Sequence, residues 1–264
     1  MKLARLTDLI TEAGLRYSQL GLDPLVQGAW GVDSVRRFFG EADIQILSGM
    51  MGMQGEDYST LDTIRETGGV RPTQHWPSNL AAAEKCAQVA QELGLRLVSF
   101  HAGFLPHSND DPERVVLIER LRQLADVFAD RGVRVAFETG QESAQTLLEV
   151  LDEIGRDSVG INFDPANMIL YGMGDPCEAL RTLSGRVLQV HIKDAKAAKL
   201  PGTWGAEVPV GTGDVDWMEF FQVFDECGID CDLMIEREAG EQRVLDMSTA
   251  LTVLEDLQVA EVEV

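Results

Sequence analysis

The stretch LQVHIKDA, residues 188–195, has the pattern of a buried β-strand that ends in polar side chains. Successive side chains of a strand point to opposite faces, so Gln189, His191 and Lys193 share one face and the apolar residues between them share the other. If helices cover the apolar face, the polar face must point to a region that tolerates charge. The residues at the ends of the other strands indicate which region of the fold His191 faces.

Short apolar runs alternate with longer amphipathic stretches along the chain, which is typical of parallel βα units. The sequence predicts seven strands, at residues 15–20, 44–48, 95–100, 133–137, 158–163, 187–192 and 232–235. It predicts helices near residues 2–13, 31–39, 78–93, 112–131, 142–154, 175–183, 216–227 and 241–257. No proline- or serine-rich linker divides the chain, so we expect one domain over residues 1–264.

Two architectures fit repeated βα units of this length, an open doubly wound sheet and a closed (β/α)8 barrel. The dinucleotide fingerprint GxGxxG does not follow the first strand. Only a barrel brings the carboxyl ends of four successive strands around one axis. The sequence therefore predicts an α/β fold, a single (β/α)8 TIM barrel, with metal-binding strand ends within residues 133–240. Each of the last four strands ends in a metal-capable side chain: Glu138 in FETG, Asp164 in NFDPAN, His191 in VHIKD and Glu236 in MIERE.

The number of strands is one short of a complete barrel. Seven are predicted, and the chain begins in a predicted helix. We therefore expect a barrel that lacks its first strand or carries it in a modified form. Either the predicted boundaries hide this strand, or the strand is lacking and the barrel is open or completed by other means.

The composition restricts the classes of function. A net charge of -22 argues against a nucleic-acid partner, because affinity for phosphate backbones comes from clustered Lys and Arg. No segment is long or apolar enough to cross a membrane, and the N-terminus has no secretory signal pattern. The four cysteines include no CxxC pair, so we expect a cytoplasmic protein with reduced thiols.

Three carboxylates and one imidazole suit a hard or borderline divalent cation such as Mn²⁺, Mg²⁺ or Co²⁺. Any one carboxylate at a strand end could instead cap a helix or lie in a solvated loop. The same coincidence on four successive strands is much harder to explain without a metal site. A divalent ion would leave roughly one negative charge of these ligands uncompensated.

The motifs FETG, NFDPANM, VHIKDA, GTGDVDW and IERE, within about residues 95–240, resemble the xylose-isomerase-like TIM-barrel superfamily, a family of sugar phosphate isomerases and epimerases. Relatives include ketose 3-epimerases, hydroxypyruvate isomerase and inosose dehydratase. The resemblance implies one divalent ion, with Mn²⁺ favoured and Mg²⁺, Co²⁺ or Zn²⁺ as alternatives, and a sugar or sugar phosphate as substrate. It also implies Glu138 and Glu236 as the acid/base pair. The implied metal ligands are Glu138, Asp164, His191 and Glu236.

The implied reaction follows from the weak acidity of a C–H bond next to a ketose carbonyl. A divalent cation on the carbonyl and hydroxyl oxygens stabilises the enediolate that forms when this proton leaves. Two carboxylates on opposite sides of the carbon can remove a proton from one face and return one to the other. The alternatives are an inosose-dehydratase-like lyase on a polyol ketone and a non-catalytic sugar-binding barrel. A phosphodiester-cleaving barrel is disfavoured, because the chain has four histidines and is strongly acidic.

Several residues near the predicted ligands are candidates for supporting roles. Asn167 stands where ketose 3-epimerases tend to carry a histidine, so the resemblance to that subgroup is incomplete. The alternative roles are a structural histidine for His101, an exposed loop lysine for Lys193 and a helix cap for Glu142. Residues 202–217 form a glycine-bearing loop that we expect to cover the substrate. The sequence leaves homo-oligomer formation and phosphorylation of the substrate open. The candidate substrate contacts are His101, Glu142, Asn167, Lys193 and Trp204, and Asp194 is expected to orient a ligand or a loop amide.

Overall fold

The computed structural model describes residues 2–108 and 110–257, which fold around one parallel sheet. In the sheet the strand order is β1-β2-β3-β4-β5-β6-β9, while β7 and β8 form a separate antiparallel hairpin. All seven predicted strands are confirmed to within a few residues. The strands of the described residues are β1 (Tyr17–Gly21), β2 (Gln45–Met50), β3 (Leu97–Phe100), β4 (Arg134–Glu138), β5 (Val159–Phe163), β6 (Val187–Ile192), β7 (Asp194–Lys196), β8 (Ala206–Val208) and β9 (Asp232–Ile235).

Helices connect the strands, and most begin at a residue that can cap them. Asp111, Asp175 and Asp216 each accept a hydrogen bond from a backbone N–H in the first turn of the following helix. The short helices α2, α4 and α8 were not predicted. The helices are α1 (Leu3–Glu12), α2 (Asp23–Val26), α3 (Val32–Glu41), α4 (Leu61–Thr67), α5 (Trp76–Leu93), α6 (Pro112–Ala129), α7 (Ala144–Ile154), α8 (Pro165–Tyr171), α9 (Pro176–Leu183), α10 (Trp217–Glu226) and α11 (Arg243–Asp256).

The sheet curves into a nearly closed barrel with a seam between β1 and β9. Each of these two strands pairs on one side only. A cavity of about 1470 Å³ lies along the seam between α1, β1, β9, α10 and α11, and it reaches His191 and Glu236. The predicted barrel is confirmed. An eighth barrel strand does not occur in residues 2–108 or 110–257, in keeping with the expected lack of a first strand.

The hydrophobic core lies between the sheet and the helices. Phe100, Phe137 and Phe163 are completely buried, and the ring of Phe163 lies 5.9 Å from that of Phe220 in α10. By strand alternation the residues next to them point into the barrel, and several of those are polar. The helix-facing side of the sheet therefore supplies the apolar packing, which leaves the barrel interior free to carry polar groups.

Candidate metal centre

The four predicted ligands meet at the carboxyl end of the barrel. Glu138 is the last residue of β4, Asp164 follows β5, His191 lies in β6 and Glu236 follows β9. One ligand atom from each side chain can be chosen so that all four lie within 4.8 Å of one another. The fold thus gathers four side chains that are spread over about a hundred residues of sequence.

The donor atoms of this cluster fit a divalent cation. Glu138 Oε2, Asp164 Oδ2 and His191 Nδ1 are buried and have no hydrogen-bond partner among the described residues. A buried polar atom without a partner costs free energy, and native structures contain few of them. Three carboxylates and an imidazole are ligands that Mn²⁺, Mg²⁺ or Zn²⁺ accept. A cation at this point would satisfy all three orphaned atoms.

Local sequence explains how Asp164 is held. Its Oδ1 accepts a hydrogen bond of 2.9 Å from the backbone N–H of Asn167, so the residue caps α8 while Oδ2 stays free. The hydroxyl of Thr139 donates to the Asp164 carbonyl and accepts from its N–H. Gly140 has φ +134, and a Cβ there would lie 2.5 Å from Asn167 Cβ. The TG of FETG therefore brings β4 close against the Asp164 turn.

Electrostatic coupling keeps the centre ionised. His191 Nδ1 lies 3.2 Å from Glu236 Oε2 and 3.5 Å from Glu138 Oε1. Burial lowers the pKa of His191, but the two glutamates outweigh it and raise that pKa well above its usual value. Burial raises the pKa of Glu236, but His191 and Lys193 outweigh it and hold that pKa well below its usual range. The carboxylates are therefore available to a cation at neutral pH.

Lys193 balances the charge of the centre. Its side chain is 2% exposed, and its Nζ lies 2.9 Å from Glu236 Oε2, 3.5 Å from Asp164 Oδ2 and 2.6 Å from Glu238 Oε2. Burial lowers the pKa of Lys193, but these carboxylates outweigh it and raise that pKa well above its usual value. Two charges from a divalent ion and one from the ammonium match the three carboxylate ligands. Lys193 would thus offset the one negative charge that a divalent ion leaves on the ligand set, and it also pairs with Glu238, which is not one of the four ligands.

Two further predicted residues contact the cluster directly. Asn167 donates from Nδ2 to Glu138 Oε1 at 2.8 Å, and its Oδ1 accepts from Lys193 Nζ at 3.3 Å. His101 Nε2 lies 3.8 Å from Glu138 Oε1, and His101 Nδ1 is buried without a partner among the described residues. Asn167 therefore links the glutamate on one side of the centre to the lysine on the other.

The other two candidate substrate contacts are Glu142, which is buried, and Trp204, which lies in a loop. Glu142 is 4% exposed, and burial raises its pKa to about 8, so it can remain protonated near neutral pH. Trp204 lies in the loop between β7 and β8, and its ring packs against Tyr171 at 4.9 Å. The β7–β8 hairpin therefore forms the base of this loop, and the Trp204 side chain is directed toward Tyr171 at the end of α8.

Asp194 holds this loop and makes no hydrogen bond to the four ligands in the described structure. Its carboxylate accepts hydrogen bonds from the N–H groups of Ala195, Gly211 and Gly213 and from the indole N–H of Trp217. A Cβ at Gly213 would lie 1.9 Å from Asp194 Oδ1, so this approach requires glycine. Of the two roles considered from sequence, the geometry fits the orientation of loop amides.

Tyrosines near the centre were missed from sequence. The ring of Tyr58 lies 6.3 Å from that of His101, and Tyr171 packs between Phe104 and Trp204. Tyr171 follows Asp164 by seven residues, which is two helical turns, so the two share a helix face. The pattern was readable, but α8 was not recognised as a helix.

Comparison with known proteins identifies the same fold. Residues 8–257 match the family model described as the xylose isomerase-like TIM barrel. The crystal structure of a xylose isomerase domain protein from Planctomyces limnophilus is 33% identical, with a TM-score of 0.89 over 95% of this chain and 91% of that chain. A xylose isomerase-like barrel from Mycobacterium smegmatis in complex with magnesium is 20% identical, with a TM-score of 0.73 over 96% and 87%. A D-psicose 3-epimerase and a probable 3-DHS dehydratase, at lower identity, share the fold.

Similarity to curated proteins is confined to part of their length. Inosose dehydratase from Clostridium perfringens is 25% identical over 145 residues, which cover 49% of this chain and 48% of that protein. The chain spans about half the length of the curated relatives that it matches, 42% in one case and 48% in another. The family match over residues 8–257, the structural likeness and the ligand cluster lead to one conclusion: the chain belongs to the xylose isomerase-like TIM-barrel family.

Proposed function

We propose that the protein is a divalent-metal-dependent sugar isomerase or epimerase that works through an enediolate. The observation that carries the proposal is the cluster of Glu138, Asp164, His191 and Glu236, whose ligand atoms lie within 4.8 Å and include three buried atoms without partners. A bound cation would supply Lewis-acid stabilisation of the negative charge that develops on the substrate oxygens. Mn²⁺ is the proposed ion, and Mg²⁺, Co²⁺ or Zn²⁺ suit the same donors.

Glu138 and Glu236 are the proposed acid/base pair. They come from β4 and from the end of β9, three positions apart in the sheet order, so they approach the centre from different parts of the rim. Burial raises the pKa of Glu138, but His101 and His191 outweigh it and lower that pKa, which keeps a base available. One carboxylate would take the proton from one face of the carbon and the other would return a proton. An isomerase would move the proton between neighbouring carbons with the same groups.

The surrounding residues would bind the sugar and exclude water. Lys193 and Asn167 hold the two glutamates through hydrogen bonds, and both are proposed to contact substrate oxygens, Lys193 by exchanging its bond to Glu238 for one to the substrate. Glu142, in its protonated form, is proposed to contact a substrate hydroxyl group, and so is His101. The ring of Trp204 would cover the substrate, since aromatic faces pack well against the C–H face of a sugar.

Hydrogen exchange tests this function directly. Full-length protein with Mn²⁺ in D₂O, offered a panel of free and phosphorylated ketoses, should incorporate deuterium next to the carbonyl, as seen by NMR. A chelator should abolish exchange and added Mn²⁺ should restore it. Glu138→Gln and Glu236→Gln should each lower the rate at least about 100-fold, because a general base contributes about that much. Glu84→Gln, an exposed carboxyl on α5, is the matched control.

Two results would reject the proposal. Full exchange by metal-free protein would remove the metal from the mechanism. Unchanged exchange in both glutamate variants would remove the acid/base pair.

A second function, dehydration of a polyol ketone, is supported by the likeness to inosose dehydratase. Elimination of water begins with loss of the same acidic proton, so the same residues would serve. Asn167, in place of the histidine that is usual in ketose 3-epimerases, is compatible with this branch. An inosose offered in the same assay separates the two functions, because dehydration produces a new vinylic proton signal and epimerisation does not.

A further inference from the structure

A layer of uncharged polar side chains crosses the barrel interior one step below the metal ligands. Barrel interiors are ordinarily filled with branched apolar side chains, so a polar layer requires an explanation. All of its members except Gln19 are completely buried. We call this set the amide network: Gln19 of β1, Ser48 of β2, Ser99 of β3, Asn162 of β5 and Gln189 of β6.

The hydrogen bonds of the amide network orient Gln19. Its Nε2 donates to Ser99 Oγ at 3.0 Å and to Gln189 Oε1 at 2.6 Å, which uses both hydrogens of the amide nitrogen. Gln189 in turn donates from Nε2 to Ser48 Oγ at 2.8 Å. Because the nitrogen is engaged on one side, the Gln19 oxygen must point the other way.

That oxygen meets the metal ligand His191. Gln19 Oε1 lies 2.9 Å from His191 Nε2, across 172 residues of sequence. The side-chain amide of Asn162 lies at the same distance from Nε2, and its Oδ1 is buried with no partner in the described residues. Since amide oxygen and nitrogen exchange places by a half turn, Asn162 can also present an acceptor to this nitrogen.

The second ring nitrogen of His191 faces the carboxylates. Nδ1 is 3.2 Å from Glu236 Oε2 and is buried without a hydrogen-bond partner in the described residues. When a cation takes the place of the proton on Nδ1, a proton held on Nε2 by Gln19 would leave the Nδ1 lone pair directed at that cation. Gln19 does this without a charge, so it adds nothing to the three negative charges already gathered there.

We propose that Gln19 is a positioning residue of the metal centre, which fixes the tautomer and the direction of His191 by accepting its Nε2–H. The inference rests on the proposed function, because it needs a cation bound by Nδ1. Partners of this kind on the far nitrogen of a ligating histidine are typically worth about 10- to 100-fold in metal affinity.

Mn²⁺ titration of metal-free, full-length protein by calorimetry tests this role. Gln19→Leu removes the acceptor and should weaken Mn²⁺ binding about 10- to 100-fold. Gln19→Glu keeps an acceptor for His191 but loses the two hydrogen bonds donated to Ser99 and Gln189, so it should bind Mn²⁺ more tightly than Gln19→Leu. Ser18→Ala, at the neighbouring position on β1, is the matched control and should not change the affinity, because the Ser18 hydroxyl donates to the backbone carbonyl of Gln19 and makes no other side-chain hydrogen bond in the described residues.

Nitrogen-15 NMR of the Mg²⁺-loaded wild type supplies a readout that needs no variant. His191, one of four histidines, should carry its proton on Nε2. A proton on Nδ1 would overturn the inference, and it would do so even if Gln19→Leu failed to fold.

Two further outcomes distinguish a failure of this inference from a failure of the proposed function. If the Gln19→Leu variant unfolds at a lower temperature yet binds Mn²⁺ like the wild type, then Gln19 is merely structural. A wild type that binds no divalent ion would end the proposed function, and this inference with it.

Discussion

Single residues at this centre take their properties from what surrounds them. Lys193 is an ordinary lysine in VHIKD, yet in the fold its ammonium contacts Glu236 and Glu238 and is 2% exposed. Gln19 is one polar residue in a short strand, yet it contacts the candidate ligand His191, 172 residues away in the sequence. Glu142 shows the same dependence, because its burial in the fold raises its pKa.

The first prediction concerns Glu142→Gln. The folded protein holds the Glu142 proton up to a pKa of about 8, whereas the unfolded chain releases it near 4.5. Between these values the folded state binds more protons, so the contribution of this residue to stability falls as pH rises, by about 1.4 kcal/mol per pH unit. Glutamine stays neutral, so the variant should become progressively more stable than the wild type from pH 5 toward about pH 8.

Urea unfolding at several pH values, with Glu84→Gln as the exposed control, checks this expectation. A difference between Glu142→Gln and the wild type that does not change with pH would contradict it. The variant keeps an N–H donor, so its deuterium exchange activity also shows whether substrate needs a neutral donor or a carboxylate here.

Secondary-structure elements were largely predictable because their signals are local. Each barrel strand shows as an apolar run, and Asp111, Asp175 and Asp216 mark helix starts by capping chemistry. The helix α8 escaped because Pro165–Tyr171 has only seven residues and directly follows a ligand-bearing strand end. The β7–β8 hairpin escaped because its strands have three residues each and pair only through the fold.

The second prediction concerns the seam between β1 and β9. Strands that pair on one side only leave backbone groups open to water, whereas β4 and β5 pair on both sides. Amides of residues 17–21 and 232–235 should therefore exchange with deuterium faster than those of residues 134–138 and 159–163. Hydrogen exchange read by mass spectrometry checks this. Equal protection of all four strands would mean that the seam is covered in solution.

At the scale of the whole molecule, the strongly acidic chain concentrates negative charge at one end of the barrel. Three carboxylates, Glu138, Asp164 and Glu236, converge there, and Lys193 offsets only part of their repulsion. The folded state should therefore gain stability when a cation binds between these carboxylates. In residues 2–108 and 110–257, no helix is long and apolar enough to span a membrane.

The third prediction is a linkage between metal and folding. Mn²⁺ at a free concentration of 100 times its Kd should raise the free energy of unfolding by about 2.7 kcal/mol near neutral pH. The carboxylate of Glu236, whose folded pKa lies well below 4.5, contributes stability that is complete above 4.5 and is lost as pH falls through the folded pKa. Because protons compete with the cation for these ligands, the stabilisation by Mn²⁺ should also shrink in acid.

Thermal unfolding with Mn²⁺ or a chelator, across a pH series, measures both effects. The Asp164→Asn variant should lose most of the Mn²⁺-dependent increase in melting temperature, and Glu84→Gln should keep it. A chelator-insensitive wild type would argue against a metal bound in the folded protein.

The sequence by itself determined the seven strands, the barrel and the four side chains at its carboxyl rim, because hydrophobic periodicity and strand ends are encoded by neighbouring residues. Only the tertiary structure decided the amide network, the ion pairs of Lys193, the packing of Tyr171 and Trp204, and the seam between β1 and β9. These depend on distances between residues far apart in the chain, as between Gln19 and His191, and no local pattern records such distances.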